Sequence, residues 1–137
     1  MKSFISYILP KARKVKNQLD SFALITSKPW ILLKEESNTK EVYIFRSKKE
    51  LLISINGKVE KYKWEYLGHN NLIIENKQGS MLLKNAFYDE KILGLKIDGR
   101  EDYMFLVDQN IYEKHNGSLN LIMNYLNKNT DFKLYVN

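Results

Sequence analysis

No cysteine occurs anywhere in this chain of 137 residues. Disulfides, thiolate nucleophiles, iron–sulfur ligation and sulfur-based zinc sites are therefore excluded. Proline is almost as scarce, with two residues, and there are only six glycines, most of them in turn contexts. No nucleophile elbow, phosphate-cradling glycine loop or dinucleotide fingerprint occurs. Apolar runs are short: Phe22 to Ile25 and Trp30 to Leu33 fall far below the ~20 residues a membrane-spanning helix needs. The chain starts with Lys2 and then Phe4, Ile5, Tyr7, Ile8 and Leu9. A basic cluster then stands where the small residues of a signal cleavage site belong. Cytoplasmic residence is the expectation.

What is present describes one folded domain. The hydrophobic share is 44% and the charged share 28%, both ordinary globular values. The net charge of +6 is unevenly spread. Residues 1–28 hold Lys2, Lys11, Arg13, Lys14, Lys16 and Lys28 against Asp20 alone. Residues 29–107 and the remainder of the chain are close to neutral. A footprint for phosphate or anionic lipid would sit on the basic arm, at Lys11, Arg13, Lys14 and Lys16.

On that arm Ile8, Ala12, Val15, Leu19 and Phe22 follow the four-three spacing of one helix stripe. The spacing predicts a helix over about 10–23, with 3–9 a turn or kinked extension, and Pro29 ends it. From Trp30 the period changes to two. Candidate strands are 30–34, 42–46, 51–55, 59–66, 72–75, 81–83, 92–97 and 103–107. Asn56-Gly57 and Asp98-Gly99 each read as a two-residue hairpin turn needing positive φ. Tyr62, Trp64 and Tyr66 share one face of the fourth strand, with Lys61, Lys63 and Glu65 on the other. Ser118 is a plausible N-cap for a helix over about 118–129, and Phe132 to Val136 reads as an edge strand. The class is mainly β, of the α+β kind. An antiparallel meander of about eight strands forms a small barrel or strongly curved sheet, flanked by an N-terminal and a C-terminal helix.

The middle of the chain, with Lys28-Pro29-Trp30, Tyr43-Ile44-Phe45-Arg46, Leu51 to Gly57 and Lys63-Trp64-Glu65-Tyr66, resembles a family of uncharacterised small bacterial proteins. More loosely, the order of Trp30, Phe45, Gly57 and Trp64 is similar to that of bacterial lipocalin-like domains. That resemblance implies a small meander barrel and brings no activity. A basic helix before the first strand departs from the pattern.

Chemistry is sparse. His69 and His115 both fall in predicted turns, where solvent exposure is the ordinary expectation. Glu35-Glu36, Asp89-Glu90 and the acids of 98–102 lack the spacing of a calcium loop or of a carboxylate pair. The aromatic set Trp30, Phe45, Trp64, Tyr66 and Tyr103 either lines a ligand cavity or packs the core. An eight-stranded barrel is only just wide enough for its own side chains or one small ligand, which favours packing. No catalytic residue, metal or cofactor is expected. The leading expectation is a binding or interaction module for another protein or a small apolar ligand. Electrostatic attachment to nucleic acid or an anionic membrane through the arm is an alternative. So is an immunity or accessory role beside a bacterial toxin or secretion system.

Overall fold

A computed structural model describes residues 5–8, 18–35, 39–69, 71–101, 103–130 and 133–136. The chain begins with β1 (Ile5–Ile8), α1 (Gln18–Thr26), β2 (Trp30–Leu32), β3 (Glu41–Phe45) and β4 (Glu50–Ile55). It continues with β5 (Lys58–Gly68), β6 (Asn71–Asn76), β7 (Gly79–Tyr88), β8 (Ile92–Ile97) and β9 (Tyr103–Asp108). It ends with α2 (Gln109–Lys114), α3 (Leu119–Asn129) and β10 (Lys133–Val136). From β2 to β9 each strand pairs antiparallel with the next, and β9 pairs back onto β2. The result is a closed eight-stranded up-and-down barrel, the closed form of the expected meander. Closure leaves no barrel strand with an unpaired edge.

Turn chemistry sets the hairpins. Asn56 (φ 53°) and Gly57 (φ 88°) supply the two left-handed positions of a tight turn, and Ile55 pairs with Lys58 across it. The 98–102 connection corrects the sequence reading. Gly99 has φ 79° while Asp98 is not left-handed, and the amide of Arg100 bonds the carbonyl of Ile97 at 3.1 Å. The chain makes a turn there and then takes further residues to reach Tyr103, so this is no two-residue hairpin. Register shifts at Tyr66/Gly68 and Asn85/Phe87 bend β5 and β7, the two longest strands.

Alternation then sorts the side chains. Trp64 is 2% exposed and lies inside the barrel with Phe45, Leu51, Leu72, Leu93 and Leu106, while Lys61, Lys63 and Glu65 are exposed. A second core forms outside the barrel wall. Ile31, Ile92, Phe105 and Val107 on β2, β8 and β9 pack against Ile111, Ile122, Met123 and Leu126 of α2 and α3. Those strands are buried on both faces, so they read as continuous apolar runs. Each fully buried Ile or Leu in such a layer contributes about 1.5–3 kcal/mol. Asp108 caps α2 by accepting from the Asn110 amide at 2.6 Å and also receives the Lys28 ammonium at 2.9 Å. The strand that opens the barrel is thereby tied to the one that closes it.

Helix α1 covers the end of the barrel where β2 starts and β3 ends. Ile25 is buried in the barrel core, and Phe22 stacks on Trp64 at 5.7 Å. The Trp30 indole N–H donates to the Ile25 carbonyl at 3.1 Å. The helix continues to Thr26, three residues past the expected end, before Pro29. Its expected beginning at 10–17 lies outside the described residues. Residues Ile5–Ile8 are neither turn nor helical extension: they form a strand that pairs with β10, Ile5 opposite Val136. The expected edge strand near the C-terminus is therefore present, with β1 as its partner.

Candidate functional site at the open end of the barrel

The end of the barrel opposite α1 is not plugged. A cavity of about 420 Å³ opens there, walled by Tyr43, Ile53, Tyr62, Ile74, Met81 and Met104. This volume falls within the range of small-molecule pockets. Asn76, Gln78 and Ser80, at the β6–β7 turn, put amides and a hydroxyl on the rim. Period-two alternation explains the walls: Tyr43 is two residues from Phe45, Ile53 two from Leu51, and Tyr62 two from Trp64. Each points inward one layer closer to the mouth. The aromatic pair Phe45 and Trp64, edge to face at 5.1 Å, fills the layer beneath.

Polar groups at the mouth are few and specific. Tyr43 is 8% exposed, and its hydroxyl has no hydrogen-bond partner among the described residues. Burial pushes its pKa well above the ordinary phenol value, with the nearby Glu41 carboxylate and Tyr62 adding to the shift. Tyr43 therefore stays neutral. The Tyr62 hydroxyl donates to Glu60 at 3.1 Å, a bond that raises the Tyr62 pKa in its turn. The Lys34 ammonium meets Glu41 at 2.7 Å and also bonds Thr39.

The aromatic residues singled out from the sequence are elsewhere. Trp30 is fully buried, and Phe45 and Trp64 pack together in the plugged half. Tyr66 lies beside Phe22, 5.9 Å between rings, under α1. Tyr103 is outside the barrel, stacked on Phe105 at 5.8 Å in the layer beneath α2 and α3. None of the five walls the cavity. Nothing in the sequence singles out Tyr43, Met81 and Met104 as cavity wall or says which end of a barrel stays open. The basic residues Lys11, Arg13, Lys14 and Lys16 lie outside the described residues.

The other polar candidates have local duties. His69 is an exposed turn residue at φ 52°. His115 ends α2, with Nδ1 2.7 Å from the Ile111 carbonyl. Asp89 accepts from the Lys91 and Ile92 amides at 2.7 and 3.1 Å, and Asp98 pairs with Lys84 at 3.2 Å. Among the described residues no group of three His, Cys, Asp or Glu side chains could hold a metal ion. No described helix is long and apolar enough to cross a membrane. What the cavity can offer is apolar contact, methionine adaptability, one unpartnered phenol and a carboxylate at its edge. No family model, curated protein or solved structure matches the chain.

Proposed function

We propose that the protein is a non-catalytic binding module that takes one small, largely apolar molecule into the open end of its barrel. The observation that carries this reading is the cavity of about 420 Å³ between Tyr43, Ile53, Tyr62, Ile74, Met81 and Met104. Barrels of eight strands either fill their interior or hold one small ligand. Here the α1 half is filled by Phe45 and Trp64, and the other half is not. Apolar wall left open to water is unfavourable by about 25 cal/mol per Å² relative to the same wall covered. A ligand that covers it is stabilised by that term, and the unpartnered Tyr43 hydroxyl orients it.

Fluorescence titration with N-phenyl-1-naphthylamine, a neutral apolar probe, tests this. Saturable binding of one probe per chain is expected. Met104→Trp fills the cavity and should abolish it, with the melting temperature kept. Absence of saturable binding would overturn the proposal, and so would unchanged binding by a folded Met104→Trp protein.

A further inference from the structure

Resting on that reading of the cavity, we infer that its mouth selects a protonated amine carried on an apolar body over the corresponding carboxylate. Three adjacent strands place the groups. The inward side of β3 carries Glu41 and Tyr43, and that of β5 carries Glu60 and Tyr62. Ile53 of β4 lies between them, paired with Tyr43 on one side and with Glu60 on the other. The two phenol rings wall the cavity, while the two carboxylates stand beside them on the adjoining rim, Glu60 exposed to solvent.

The two acids are not equivalent. Glu41 is neutralised by Lys34 at 2.7 Å. Glu60 has the Tyr62 hydroxyl as its polar partner, and no cation lies within ion-pair distance of it among the described residues. Lys58, two positions nearer the hairpin tip, forms no ion pair with it. An ammonium group at this position has a carboxylate to pair with, and the faces of Tyr43 and Tyr62 attract it through their quadrupoles.

The second observation is independent of the acids. Tyr43 is more than nine-tenths buried, walls the cavity, and its hydroxyl oxygen has no partner among the described residues. A phenol is neutral at pH 7, and its oxygen accepts a hydrogen bond from an ammonium N–H. A carboxylate could take the phenol proton as a hydrogen bond, but it would stand beside Glu60 uncompensated. Like charges this close on the rim repel, by roughly 1 kcal/mol or less when solvated.

Displacement of bound N-phenyl-1-naphthylamine by decylamine, decanol and decanoate at neutral pH, below micelle-forming concentrations, separates the cases. Decylamine should displace at about ten-fold lower concentration than decanoate, with decanol between them. In Glu60→Gln and in Tyr43→Phe the ratio should shrink to about three-fold or less, while binding of the neutral probe to Glu60→Gln is unchanged. Decanoate displacing as well as decylamine would overturn the inference and leave the binding role standing. A ratio that persists in both variants overturns it too. A probe that never binds removes the binding role itself, and the inference with it.

Discussion

Replacing Trp64 by Ala removes the side chain that joins the barrel core to its plug. The indole is 2% exposed, stacked on Phe22 at 5.7 Å and edge-on to Phe45 at 5.1 Å. Its N–H donates to the Arg46 carbonyl at 2.8 Å. Truncating a buried Trp costs about 3–5 kcal/mol through lost transfer energy and the cavity left behind. Two ring pairs worth roughly 0.5–1.5 kcal/mol each and a hydrogen bond worth about 1 kcal/mol place this site at the upper end, near 4–5 kcal/mol. For a domain of this size that is a drop of roughly 12–25 °C in melting temperature. Urea unfolding followed by far-ultraviolet circular dichroism measures it without relying on the lost fluorophore. Trp64→Phe, which keeps a ring but loses the indole donor, should cost about 1–2 kcal/mol. Val59→Ala, 57% exposed on the outer face of the same strand, should stay within about 0.5 kcal/mol of the parent. A Trp64→Ala loss below about 2 kcal/mol, or one no larger than that of Val59→Ala, would refute the packing argument.

At the β4–β5 hairpin, Gly57→Val should destabilise by about 1–2 kcal/mol or more in thermal melts. A Cβ there meets nothing within 4 Å and φ is +88°, so the cost is conformational, and Gly57→Asn should cost much less because Asn tolerates the left-handed region. Tyr43 sets an alkaline limit. Its folded pKa is raised above the ordinary 10.0, so its contribution is fully present below pH ~10 and is lost as pH rises beyond it, when only the unfolded phenol ionises. Relative to neutral pH, Tyr43→Phe should gain on the parent by up to about 1.4 kcal/mol per pH unit above that point, measured by urea unfolding at each pH; parallel curves would exclude the effect.

The barrel was legible because its sequence repeats one physical message. Inward apolar and outward polar residues alternate, as in Tyr62, Trp64 and Tyr66 against Lys61, Lys63 and Glu65, and turn residues stand between the runs. Where the message is interrupted, the reading falls short. β7 runs from Gly79 to Tyr88, but only Met81–Leu83 reads as strand, since Lys84 and the Asn85/Phe87 register shift break the alternation. α2 has six residues, too few to show a period, and starts directly after β9. Tyr103 alternates correctly with Phe105 and Val107, yet that face lies under helices outside the barrel. On a strand apolar on both sides, periodicity cannot say which side is interior. The open cavity was hidden for a related reason: Phe45 and Trp64 gathered where α1 packs, leaving Tyr43 and Tyr62 with medium-sized Ile and Met side chains to line the other end without filling it.

The stave β2 gives the barrel an order of assembly. It has three residues, against five to eleven in the other barrel strands. Every other ladder of the barrel joins neighbours in sequence, whereas β2 must meet β9, bringing Lys28 to Asp108 across 80 positions. Local hairpins close fast and cheaply in entropy, and long loops close late. With so few ladder bonds of its own, β2 is held by Trp30, buried inward, and Ile31, buried outward in the layer formed with α2 and α3. Sequential hairpin zippering from β3 to β9 therefore precedes the docking of this one stave. On that order its contacts form after the transition state, so Ile31→Val should accelerate unfolding and leave the folding rate nearly untouched in stopped-flow measurements.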